Sequence, residues 1–61
     1  MFTVEDHGTI VLIRPLTDDV ELWLGENVDP EAQHFGRALV VEPRYVGELV
    51  EGLVEAGFAQ Q

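Results

Sequence analysis

Cysteine, serine and lysine are all missing from this 61-residue chain, and each absence removes a class of function. Without cysteine there is no disulfide framework and no thiolate metal site. Without cysteine or serine the two commonest side-chain nucleophiles are gone, and the few threonines have structural posts. Without lysine, three arginines face twelve carboxylates, a formal net charge of −9. That balance repels nucleic acid and anionic membranes and favours fast encounter with basic surfaces. No apolar run approaches the roughly 18 residues that span a bilayer. The opening MFTVEDHG lacks the basic and apolar regions of a signal peptide. The expectation is therefore a soluble protein of the cytoplasm that binds neither membrane nor nucleic acid directly.

Other sites fail on spacing. Glu5, Asp6, His7 and His34 are the only clustered hard or borderline metal ligands, and three of them occupy a turn. No H-x-x-x-H pair places two imidazoles on one helix face, so no metal is expected. The six glycines are scattered and form no phosphate loop. A carboxylate pair for acid–base chemistry needs a pocket that shifts a pKa, and so small a domain has little room for one. The sequence predicts no enzyme and no cofactor.

What is present is enough for one small domain spanning residues 1–61. The apolar fraction of 46% is ordinary for a globular protein, though the length lies near the limit for folding without staples. The chain is organised around Pro43 to Phe58, PRYVGELVEGLVEAGF. Val46, Leu49, Val50, Leu53 and Val54 follow the i, i+3, i+4, i+7, i+8 series of an amphipathic helix. Pro43 suits the first helical turn, where its missing N–H has no partner to lose. Gly57 before Phe58 reads as a C-terminal stop. Gly47 and Gly52, inside the helix, each cost roughly 1 kcal/mol relative to alanine. Close packing is the expected reason for Gly47; Gly52 has none from the sequence.

Upstream, Phe2-Thr3-Val4 alternates as a short half-buried strand does, and Glu5 to Gly8 supplies turn formers. Thr9 to Arg14, TIVLIR, is a second strand, with Ile10 and Leu12 on one face and Val11 and Ile13 on the other. A hairpin joins the two. Pro15 ends this strand and Thr17 is a good N-cap for a helix beginning at Asp18. Val20, Trp23 and Leu24 form its buried stripe, extended by Leu16 and Val28, while Leu22 lies off the stripe. The helix should end near Glu26-Asn27. Asp29 to Arg37 reads as a loop with room for one helical turn after Pro30. Ala38 to Glu42 is a third strand, with Leu39 and Val41 on one face, and Ala59 to Gln61 is a frayed tail.

The predicted fold is thus α+β, in the order β-β-α-β-α, with a three-stranded sheet and two packed helices. A right-handed crossover would set the third strand parallel to the second. If both helices share one sheet face, the other exposes Val11, Ile13 and Val40. Such a patch favours dimerisation or partner binding.

Two runs carry a resemblance: HGTIVLIRPLTDD at 7–19 and GRALVVEPRYVGELVEG at 36–52. Together they resemble a group of short bacterial proteins without assigned activity, frequent on plasmids and in prophages. In that group a strand ending in L-x-P or R-P precedes a short helix, and V-E-x-R-Y opens a terminal helix. The resemblance implies a mobile-element origin and transfers no functional residue. Small acidic proteins of mobile elements include anti-CRISPR inhibitors, an analogy of size, charge and setting. Within the motif, Tyr45 is expected to anchor the helix start in the core and Arg44 to pair with a carboxylate.

The remaining candidate site is the acidity itself. Asp18, Asp19, Glu21, Glu26, Asp29 and Glu31 crowd the first helix and the loop after it, and Glu48, Glu51 and Glu55 stripe the last helix. Carboxylates three and four apart on a helix lie roughly 5–6 Å from one another, comparable with phosphates along a nucleic-acid strand. These nine residues are the expected partner-binding surface. It would cover a basic groove of a CRISPR effector subunit by nucleic-acid mimicry. The alternatives are a solvated outer face that only keeps the protein dispersed, and a structural domain that self-associates through its apolar sheet face. The protein would be a monomer in the first model and a homodimer in the last.

Overall fold

The hairpin at the N-terminus comes first in the chain order and contributes one edge of the sheet. A computed structural model describes residues 1–28 and 31–61. Strand β1 (Phe2–Asp6) pairs antiparallel with β2 (Val11–Pro15), with Val4 opposite Ile13. Asp6 turns the chain: its carboxylate accepts the Gly8 N–H at 2.8 Å, and Gly8 takes a φ of 85° that a β-carbon would oppose. The first strand therefore runs two residues further than its alternation suggests, and the turn comprises His7 to Ile10.

Helix α1 (Asp18–Asn27) follows, then the two-residue strand β3 (His34–Phe35), β4 (Ala38–Val41) and helix α2 (Pro43–Glu55). The sheet has four strands, not three, in the order β1-β2-β4-β3, and every neighbouring pair is antiparallel. Strand β4 is thus antiparallel to β2, contrary to the expected parallel crossover. The physical reason is β3. Since β2 and β3 are both antiparallel to β4, they run parallel to each other, so the crossover through α1 delivers β3. The chain then reverses at Gly36-Arg37 and inserts β4 into the gap. Gly36 has a φ of 62° at the first position of this two-residue turn, as a type II′ hairpin requires. The predicted loop contains a strand; Asp29 and Pro30 lie outside the described residues, and residues 31–33 after them form no helix.

Both helices pack on one sheet face. Phe2, Ile13, Leu39 and Val41 from the sheet meet Val20 and Leu24 of α1 and Leu53 of α2 in one buried cluster. Val46, Leu49 and Val50 pack against it, whereas Val54 is exposed at the margin of the stripe. Leu16 also falls outside the core and is exposed. Leu22 is exposed, as its place off the stripe predicts. The uncovered face carries Val40, as expected, with Leu12 paired across from it and Phe35 on the neighbouring strand, whereas Val11 and Ile13 lie on the helix side, contrary to expectation. Ile10, just before β2, is exposed beside them.

The helix ends are set locally. Pro43 occupies the first turn of α2. At its other end Phe58 N–H reaches the Leu53 carbonyl and Gly57 N–H the Val54 carbonyl, both at 3.0 Å, with Gly57 at φ 98°. This is the Schellman arrangement, and Phe58 folds back on the core. Thr17 holds the N-cap position of α1, but its hydroxyl donates to the Asp19 carboxylate instead of accepting a backbone N–H. The tail does not fray. Phe2 N–H donates to the Ala59 carbonyl and Gln61 N–H to the Phe2 carbonyl, so the last residues line the outer edge of β1 in parallel. No helix among the described residues is long and apolar enough to cross a membrane.

Candidate functional site

The helix layer carries the predicted acids, and its geometry divides them into groups. On α1, Asp18, Glu21 and Glu26 surround Leu22 and Gly25 on the outer face, with Leu22 64% exposed. These positions follow the i, i+3, i+4, i+7, i+8 series, the mirror of the buried stripe. Asp19 turns back on the helix start, where the Thr17 hydroxyl and the Val20 N–H both donate to it. Those donors, the hydroxyl foremost, hold its carboxyl below the ordinary 3.8 against an opposing contribution from desolvation. On α2, Glu51 and Glu55 are exposed. Glu31 is exposed in the turn before β3, and Asp29 is outside the described residues.

Each arginine is already engaged. Arg14 donates to Glu5 through Nε and Nη2 at 3.1 and 2.8 Å on the open sheet face. Arg37 lies 3.7 Å from Glu21, and Arg44 donates to Glu42 at 2.9 Å. The expected pairing of Arg44 with a carboxylate is therefore present. Among the described residues, Asp18, Glu26, Glu48, Glu51 and Glu55 have no basic side chain within ion-pair distance. Among the described acids of the two helices, Glu21 has an arginine beside it, and the charge of these other five is not offset by a basic side chain.

Glu48 belongs to a different place from Glu51 and Glu55. Tyr45, Glu48 and Gly52 occupy one flank of α2, at i, i+3 and i+7, and this flank faces α1. Trp23 of α1 packs against Gly52, where an added β-carbon would meet the indole at 3.1 Å. Gly47, by contrast, has open space around it. Close approach is thus the role of Gly52, and the expectation for Gly47 is overturned. Beside the Trp23 contact lies a groove of about 740 Å³. Trp23, Asn27 and Val28 wall one side; Tyr45, Glu48 and Leu49 wall the other. Leu39 and Val41 line it, and Glu42 lies at its margin next to Tyr45.

Tyr45 does not anchor the helix in the core: it is 49% exposed, with the Arg44 guanidinium 4.9 Å from its ring centroid. Trp23, Tyr45 and Glu42 are the groove residues that the charge pattern misses; the i, i+3, i+7 spacing shows only that Tyr45, Glu48 and Gly52 share one flank of α2.

Three of the four possible metal ligands have other contacts, and His7 lines a depression on the open sheet face. Glu5 binds Arg14, Asp6 caps the turn, and His34 Nδ1 lies 3.1 Å from the Ala32 carbonyl oxygen. Among the described residues no three His, Asp or Glu side chains group as a metal site. On the open face of the sheet, His7, Thr9, Ile10, Leu12, Phe35 and Val40 line a shallow apolar depression.

A scan of protein-family models matches no part of the chain, and comparison with curated proteins and with solved structures returns no match.

Proposed function

We propose that this chain is a non-enzymatic binding module that docks its helix layer on a basic protein surface. In its most concrete form it is an anti-CRISPR inhibitor from a mobile element, covering the nucleic-acid-binding surface of a CRISPR effector. The observation that carries the reading is the uncompensated charge: Asp18, Glu26, Glu48, Glu51 and Glu55 project from the helices while every arginine is paired elsewhere. The exposed Leu22 among the acids of α1 adds the apolar contact that a purely electrostatic surface lacks.

The test is co-elution with a panel of purified CRISPR effector complexes at low and moderate salt, followed by a DNA-binding assay. A stable complex that blocks DNA binding is expected. Reversing Glu48, Glu51 and Glu55 to lysine should abolish it while the fold persists. Inhibition that survives the reversal removes this surface from consideration.

The apolar depression on the open sheet face favours a second reading, an accessory domain that self-associates there. Phe35 is 70% exposed beside Ile10, and the charged pair on this face, Glu5–Arg14, is internally neutral. Two copies joined through this face would hold their acidic helices apart. Sedimentation at micromolar concentration separates the readings, since only this one requires a dimer.

A further inference from the structure

The groove between the helices has a chemistry that the acidic faces do not. It offers an indole and a phenol, half-buried aliphatic surface from Val28 and Leu49, and carboxylates at Glu42 and Glu48. Its volume of about 740 Å³ falls within the roughly 300–1,000 Å³ of ligand pockets. An occupant matched to all of these parts is an apolar stem that ends in a planar cation.

We propose that this groove is the anchor site for an arginine side chain of the basic partner, an inference that rests on the docking reading above. Arginine fits better than lysine for physical reasons. Its guanidinium is weakly hydrated, stacks on aromatic faces and pairs with carboxylates in a fork, whereas an ammonium is a strongly hydrated point charge. Its methylene stem covers aliphatic surface while the head stays at the rim. The chain itself displays the recognition: Arg44 places its guanidinium over the Tyr45 ring while donating to Glu42. That pair is exposed on both sides, so it exchanges readily for an incoming guanidinium. A buried aromatic and arginine anchor ringed by weaker contacts is also how binding energy concentrates in protein interfaces. The acids of α1 and α2 would then steer the partner, and the groove would hold it.

The probes are two capped peptides, one alternating arginine with glycine and one alternating lysine with glycine, titrated into the ¹⁵N-labelled protein at about 50 mM salt. The single tryptophan gives a direct reporter in its indole N–H. Binding of the arginine peptide should shift the Trp23 indole, Tyr45, Glu48 and Leu49 signals saturably, about threefold more tightly than the lysine peptide. Tyr45→Ala and Glu48→Gln should each weaken it about fivefold. Glu55→Gln, the same change in net charge, should weaken it less than about twofold. Dispersed amide spectra confirm that each variant is folded. Shifts confined to Asp18, Glu51 and Glu55, with Glu48→Gln and Glu55→Gln equivalent, overturn the groove and leave the acidic-layer reading standing. Groove binding that is indifferent to reversal of Glu51 and Glu55 keeps the anchor and overturns the broader layer. A peptide that shifts no signal overturns both.

Discussion

The indole of Trp23 occupies the space that a side chain at position 52 would need: a β-carbon on Gly52 would lie 3.1 Å from its Cη2 and 3.3 Å from its Cζ2. Two effects oppose each other there. Replacing a mid-helix glycine by alanine gains about 1 kcal/mol of helix propensity, and crowding a packed contact costs about 1–3 kcal/mol. At Gly47, with nothing within 4 Å, only the gain operates.

Gly47→Ala is therefore expected to raise the melting temperature by about 4–8 °C, the response of a domain this size to 1 kcal/mol. Gly52→Ala should bring no increase and should perturb the Trp23 fluorescence, which Gly47→Ala leaves unchanged. Equal stabilisation by both substitutions would show that the helices do not meet at Trp23.

This contact also shows what the sequence makes legible. Periodicity finds both helices and their buried stripes, because 3.6-residue spacing is a local property. The stop at Gly57-Phe58 is legible for the same reason. Which flank of α2 meets α1 depends on how the helices cross, so the roles of Gly47 and Gly52 come out exchanged and Tyr45 is misplaced in the core. The sheet suffers from one missed element. His34-Phe35 is too short to alternate and is exposed on both residues, so its only trace is the Gly36-Arg37 turn, and without it β4 comes out parallel. The exposure of the acids is readable because they interleave with apolar positions. The groove is not, since its two walls are separated by some 20 residues of chain and meet only in the fold.

Gly57 should tolerate no β-carbon. Its φ of 98° closes the Schellman turn that brings Phe58 onto the core. Gly57→Ala is expected to cost about 1 kcal/mol, seen as a lower urea midpoint with an unchanged slope. A variant as stable as the parent would mean that the turn does not set the end of α2.

Asp19 carries a pH dependence of definite sign. Its carboxyl is held below 3.8 in the folded chain, chiefly by the Thr17 hydroxyl. A lowered folded-state pKa stabilises the fold fully above the ordinary aspartate value, and the contribution is lost as pH falls through the lowered value. Thr17→Val should move the Asp19 titration, followed by carboxyl-carbon NMR, upward toward 3.8. The stability gap between parent and variant should be widest above about pH 5 and narrow on acidification. A gap that widens on acidification would assign the effect to another group.

Leu53 and Phe35 mark the two faces of the sheet, and their substitutions should differ sharply. Leu53 is fully buried among Phe2, Ile13 and Leu39, so Leu53→Ala should cost about 2–5 kcal/mol. At 0.05–0.15 kcal/mol per residue the whole domain has about 3–9 kcal/mol to lose. The variant should therefore be partly or wholly unfolded at room temperature by circular dichroism. Phe35, mostly exposed on the open face, has little burial to lose in a monomer, so Phe35→Ser should cost less than about 1 kcal/mol. A larger loss, together with a melting temperature that rises with protein concentration in the parent and not in the variant, would show that a second copy covers this face. That result would move the function from the helix layer to the sheet.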